Sequence, residues 1–148
     1  MAVGAFIEDL RDHLAAITSI GLIAGETLFL GDWPDSNVYA TLIRETGGTI
    51  VDHTMVDRDA NGFVAKHFED VEVQIVSRSG HYDKAFLQQR KIGLVLMGRN
   101  RFQMGTYYVW GVAQMAPPQM VEVGNRTESD VYLVSTNYQF LVRDDSAL

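Results

Sequence analysis

The chain has 148 residues, 47% of them hydrophobic and 21% charged, and carries a formal net charge of −7. That length suits one domain with a core large enough to fold unaided, and the absence of cysteine excludes disulfides, thiol nucleophiles and cysteine-based zinc sites. The acidic balance argues against wrapping nucleic acid, no apolar run approaches the ~20 residues of a membrane span, and the start, Met1-Ala-Val-Gly, lacks the basic stretch of a secretion signal.

Phe6, Ile7, Leu10, Leu14 and Ile17 recur at three- and four-residue steps opposite Glu8, Asp9, Arg11 and Asp12. This predicts an amphipathic helix over residues 4–19, closed near Gly21. Runs of β type at 27–31 and 38–45, separated by the turn-forming GDWPDSN, predict a pair of strands. From 47 to 70 no period persists, and the stretch is too long for a routine connector; it reads as a mobile loop or as an extended hairpin arm. Val71, Val73 and Ile75 alternate with Glu72 and Gln74, a strand with one face on a core, ended by Ser79-Gly80.

Tyr82, Ala85, Phe86, Gln89, Ile92, Gly93 and Leu96 trace one face of a second helix running to about Gly98. Phe86 and Ile92 should be buried there, and the small Gly93 allows close packing on a sheet. TYYVWGVAQM (106–115) is a strand by composition, and 131–142 places Tyr132, Val134, Thr136, Tyr138, Phe140 and Val142 on one face of another. Between them, APPQMVEVGNRTESD reads as irregular because of its adjacent prolines and polar turn formers. The order αβββαββ implies one α+β domain: a mostly antiparallel sheet of four to five strands with two helices packed on one face, and a loop or arm at 47–70.

The segment DRDANGFVAKHFED (57–70) opens like a calcium loop, with Asp57, Asp59, Asn61 and Gly62 in a D-x-D-x-N-G frame. Phe68 stands where a bidentate Glu would close the cage, and the residues before Asp57 show no helical stripe, so the segment reads as a polar, glycine-turned loop. The four histidines fall in different predicted elements, and the chain contains no GxGxxG, P-loop or G-x-S-x-G pattern. No metal, cofactor or catalytic residue is expected. Arg90, Lys91, Arg99 and Arg101 form a basic cluster beside Phe102 and Tyr107; cations near a helix end satisfy its carbonyls and dipole, which accounts for them without a nucleic-acid ligand. Trp33 and the Met115-Ala116-Pro117-Pro118 knuckle, with Phe63 and Phe68 among the charges of 47–70, are apolar points expected at the surface, where a protein partner would meet them.

Three stretches together resemble one family. GDWPDSNVYATLIRETGGTIVDHTM is similar to the segment of phage minor capsid and tail terminator proteins in which a turn leads into a strand ending in E-T-G-G, then a D-x-T-M run. VEVQIVSRSGHYDKAFLQQRKI is similar to the same family's central strand followed by Y-D-x-A opening a helix. The helix at Phe6 to Ile17 and the alternation at Tyr132 to Val142 complete the pattern, which covers most of the chain. The resemblance implies a non-enzymatic virion protein of the neck or tail, made in the host cytoplasm. It implies a ring, usually a hexamer, that stops growth of the tail tube and joins the tail to the head connector, with DNA passing through the channel unbound. Another head-tail connector or minor capsid component is the nearest alternative, and a small calcium-responsive module using Asp57, Asp59 and Asn61 a more distant one. The contact candidates are Trp33, Asp57, Asp59, Phe63, Phe68, Met115, Pro117 and Pro118.

Overall fold

The computed structural model describes residues 3–32, 39–50, 57–58, 64–66, 68–98, 101–124 and 131–144. Helix α1 (Val3–Ala15) is followed by strands β1 (Leu28–Leu30), β2 (Ala40–Ile50), β3 (Asp57–Arg58), β4 (Val64–Lys66) and β5 (Phe68–Ser79). Helix α2 (Tyr82–Met97) then leads to β6 (Phe102–Met104), β7 (Tyr107–Gln114), β8 (Gln119–Gly124) and β9 (Val131–Asp144). Seven strands form one sheet in the order β1-β2-β5-β9-β7-β6, with β8 also paired to β9, while β3 and β4 make a separate short ladder.

The ladder between β5 and β9 runs from Phe68 opposite Arg143 to Ser79 opposite Tyr132. The other edge of β9 is shared: β8 pairs with its first residues, Val131 to Ser135, and β7 with Tyr138 to Asp144. Alternation puts Val71, Val73 and Ile75 of β5 on the same face as Tyr138, Phe140 and Val142 of β9, and both helices close over that face in a single apolar cluster. The α1 stripe supplies Phe6, Leu10 and Leu14, all fully buried. Each contributes about 1.5–3 kcal/mol in apolar transfer. The Phe6 ring stands edge-on to Tyr107 at 5.3 Å and to Phe140 at 5.2 Å, a preferred arrangement of aromatic quadrupoles.

Bulges interrupt β2 at Glu45/Gly47, β7 at Val109/Gly111 and β8 at Met120/Glu122, and each bends its strand. The sheet curls far enough for α1 to touch β1 and β2 at one edge and β6 at the other. Asp9 of α1 ties down the β6–β7 turn by accepting a hydrogen bond from the Thr106 backbone N–H at 3.2 Å. Gly105 in that turn has φ +59°, and a Cβ there would run into the Asp9 carboxylate.

Several sequence expectations need correction. The main sheet has seven strands instead of four to five, and the order is αβββββαββββ among the described residues. β1 and β2 are neighbours but pair in parallel. β8 lies within the stretch read as irregular, where its bulge breaks the alternation that marks a strand. The stretch 47–70 contains the outer ends of β2 and β5, still paired from Gly47 opposite Glu72 to Ile50 opposite Glu69, and the β3–β4 ladder. In α2, Ile92 is fully buried as expected, but Phe86 is only half-buried, packed between Tyr82 and the Arg90 guanidinium.

Ile92→Ala should therefore cost about 2–5 kcal/mol and Phe86→Ala about 1 kcal/mol in urea unfolding. Equal costs would place α2 with the wrong face inward. Gly105→Ala should lose roughly 1–3 kcal/mol, since its left-handed backbone and the Asp9 carboxylate both oppose a side chain; an unchanged melting temperature would show that the Asp9 clamp yields freely.

Candidate assembly surface

The rotation of α2 on the sheet is fixed by two adjacent glutamines. Gln88 accepts a hydrogen bond from the Tyr39 hydroxyl at 2.9 Å and donates to the Ile20 carbonyl at 3.3 Å. Gln89, fully buried, donates to the Ser77 hydroxyl at 2.9 Å, and Ser77 in turn lies 3.2 Å from the Thr41 hydroxyl across β2 and β5. These contacts demand one orientation, whereas an all-apolar stripe would tolerate sliding.

Gly93 completes the seating. A Cβ on it would lie 3.1 Å from the Tyr138 hydroxyl and 3.2 Å from the Gln114 side-chain oxygen, so the missing side chain is what lets the sheet residues approach the helix. The Tyr138 hydroxyl is buried and has no hydrogen-bond partner among the described residues. Burial pushes its phenol up to about 12, with the neighbouring Thr136 side chain acting in the opposite direction.

With that orientation set, the outward side of α2 carries Leu87, Leu94 and Met97, which are 54%, 74% and 46% exposed, beside Lys84, Arg90 and Lys91. An open groove of about 700 Å³ runs between the C-terminal half of α2 and the knuckle Met115–Pro118. The knuckle is held by the Met115 N–H donating to the Asn137 carbonyl at 2.9 Å and by the Gln114 amide donating to the Ala116 carbonyl at 3.0 Å. A second hollow, about 580 Å³, lies along the N-terminal half of α2, where Tyr39, His81, Lys84 and Lys91 meet Leu87.

Of the sequence-derived contact candidates, Met115 and Pro117 are exposed, Pro118 is half-buried, and all three border the groove. Phe68 is a correction. It is only 7% exposed and stands edge-on to Trp110 at 5.4 Å, so it anchors the base of the 47–70 stretch inside the subunit. Asp57 lies on β3 opposite Lys66 of β4, and Trp33, Asp59 and Phe63, with most of the calcium-like frame, fall outside the described residues. Of the basic cluster, Arg99 falls outside the described residues and the others have separate neighbours. Arg101 caps the Trp110 ring at 4.1 Å, Arg90 covers Phe86, and Phe102 and Tyr107 belong to the core. His13 stacks on Phe102 at 4.9 Å. The exposed Leu87, Leu94 and Met97 were missed because only the inward stripe of α2 was traced; they fall where an amphipathic helix is expected to be polar, and that departure was the available signal.

Among solved structures, the chain is similar to one described as "Virion of native gene transfer agent (GTA) particle", with a TM-score of 0.51 and 12% identity over 93% of this chain and 90% of that one. At this identity the likeness is one of fold. No curated protein matches the chain. A model of the bacteriophage tail terminator protein family matches residues 16–143, and the chain belongs to that family.

Tyr138→Phe tests the buried phenol. Folded, Tyr138 keeps its proton to about pH 12, whereas the unfolded chain releases it near the ordinary value of 10.0. Stability that is intact below pH 10 is therefore lost as pH rises from about 10 to about 12, since only the unfolded chain gives up the proton in that window. The phenylalanine variant should equal or exceed the parent in stability at pH 7, because an unpartnered hydroxyl leaves the core, and should show a shallower alkaline loss in urea melts at pH 9 to 12. A clear destabilisation at pH 7 would mean that the hydroxyl has a partner.

Proposed function

We propose that this virion structural protein acts as a tail terminator: copies close into a hexameric ring that caps the tail tube and joins the tail to the head connector. The observation that carries this reading is the family match across 16–143. The surface agrees with it, since Leu94 and Met115 face water across a groove that a lone subunit leaves uncovered, as assembly surfaces do. The role is structural, not enzymatic. A net charge of −7 per copy would let DNA traverse the ring without sticking.

In this reading the chain is one domain, and 47–70 serves as an arm that seats on a neighbouring copy or on the tube. Asp57, Asp59 and Phe63 would make its contacts, and Trp33, Met115, Pro117 and Pro118 would serve contacts elsewhere. The continuation of the β2–β5 ladder to Ile50 and Glu69 gives such an arm a firm base.

Light scattering of the full chain should give a mass of about six subunits, free or in the presence of tail tubes, and tube protein polymerised with it should stop at bounded lengths. A monomer at every concentration, with tube length unaffected, would overturn the proposal. Deleting Arg58 to Lys66 removes the β3–β4 ladder but no strand of the main sheet, so it should leave a folded subunit that still melts cooperatively while weakening the ring or tail joining. Cleavage within 47–70 should be slower in rings than in free subunits, and equal rates would remove the arm from the assembly.

A further inference from the structure

We infer that the outward face of α2 is one half of the contact between copies, and that the other half is the exposed side of α1 and the turn after it on a second copy. The inference rests on the ring reading and specifies which surfaces meet. Charge is unevenly divided between the two helices. The outer face of α2 presents Lys84, Arg90 and Lys91 around Leu87 and Leu94 against a single carboxylate, Asp83, an excess of positive charge in a chain whose overall charge is −7. Helix α1 instead holds Glu8, Asp9 and Asp12 against Arg11, with Asp12 paired to that arginine at 3.1 Å and Asp9 bound to the β6–β7 turn. Glu8 and Asp12 are exposed, as is Ile23 beyond the helix at 54%.

The two surfaces are complementary in charge: exposed apolar side chains with a net positive charge on α2, and net negative charge on α1, with the exposed Ile23 in the segment that follows it. Like charges would repel two α2 faces brought together, so a two-fold contact through α2 alone is disfavoured. Pairing α2 of one copy with α1 of the next joins two different patches, a head-to-tail contact of the kind that makes a ring when the rotation between copies closes and a filament when it does not. The exposed leucines supply the apolar burial, while the charges set register and reject the wrong face.

Two charge-reversed variants of the full chain test this: Lys84→Glu with Lys91→Glu, and Glu8→Lys with Asp12→Lys. All four side chains are exposed, so circular dichroism and melting temperature should stay near wild type. Under conditions where wild type forms rings, each double variant should fall to subunit mass, and the chain carrying all four changes should regain the ring. Leu87→Gln with Leu94→Gln should also dissociate it, by loss of apolar contact. Rings that survive both charge reversals, or a fourfold variant that stays folded yet dissociated, would overturn the inference while leaving the ring reading intact. A wild-type chain that never associates would overturn both.

Discussion

The twelve-residue ladder between β5 and β9 is the constraint on which the rest of the molecule depends. Its register decides which side chains of both strands face the helices, because a slip of one residue would turn Val71, Val73 and Ile75 to the opposite face and leave α1 and α2 nothing to cover. It also sets the outer edge of the sheet. β9 offers its free side in two sections, so β7 and β8 can each extend a different part of it, and the knuckle at Met115–Pro118 lies where the chain passes from one to the other.

The second layer of specification is polar. Gln88 and Gln89 reach Tyr39, the Ile20 carbonyl and Ser77, so α2 is held by hydrogen bonds to three separate parts of the chain. A buried amide that loses its partner costs about 1–3 kcal/mol, which penalises any other rotation of the helix. The apolar side chains on the outward face are therefore held in place by polar groups on the inward one. Gly93 acts in the same direction, bringing the helix close to Tyr138 and Gln114 at the position where a larger residue would lift it.

Much of this was legible in the chain itself. The inward stripe of α1, the alternation of β5 and the long face of β9 follow from periods of 3.6 and 2, and those elements make most of the core. What escaped were the bulged and short strands. At Glu45/Gly47 and Met120/Glu122 an extra residue shifts the alternation, so β2 looked shorter than it is and β8 did not look like a strand. The E-T-G-G sequence has a local cause there: Gly47 sits at the bulge with φ +151°, a conformation that side chains rarely adopt. Tyr82 and Phe86 lie at the margin of the α2 stripe, outside the face that is buried, so a period of 3.6 alone makes the stripe too wide. Phe68, taken for a surface point by its charged neighbours, is in register with Arg143 and reaches Trp110 across β9, a pairing no local pattern displays. The groove was half legible: its proline side was read from turn chemistry, and its helix side could be seen only once the inward face of α2 was known.

The placement of β9 in the middle of the sheet also has a consequence for biosynthesis. A ribosome delivers β5 more than fifty residues before β9, so during that interval β5 has β2 on one side and a bare row of backbone donors and acceptors on the other. Until β9 arrives, the β6–β7 hairpin cannot join the rest of the sheet, β8 has no strand to pair with, and the cluster around Phe6 lacks Phe140 and Val142. Closing that distance costs loop entropy before any contact compensates for it, which marks the subunit as a slow folder. The subunit's surface is therefore finished only when nearly the whole described chain has been made.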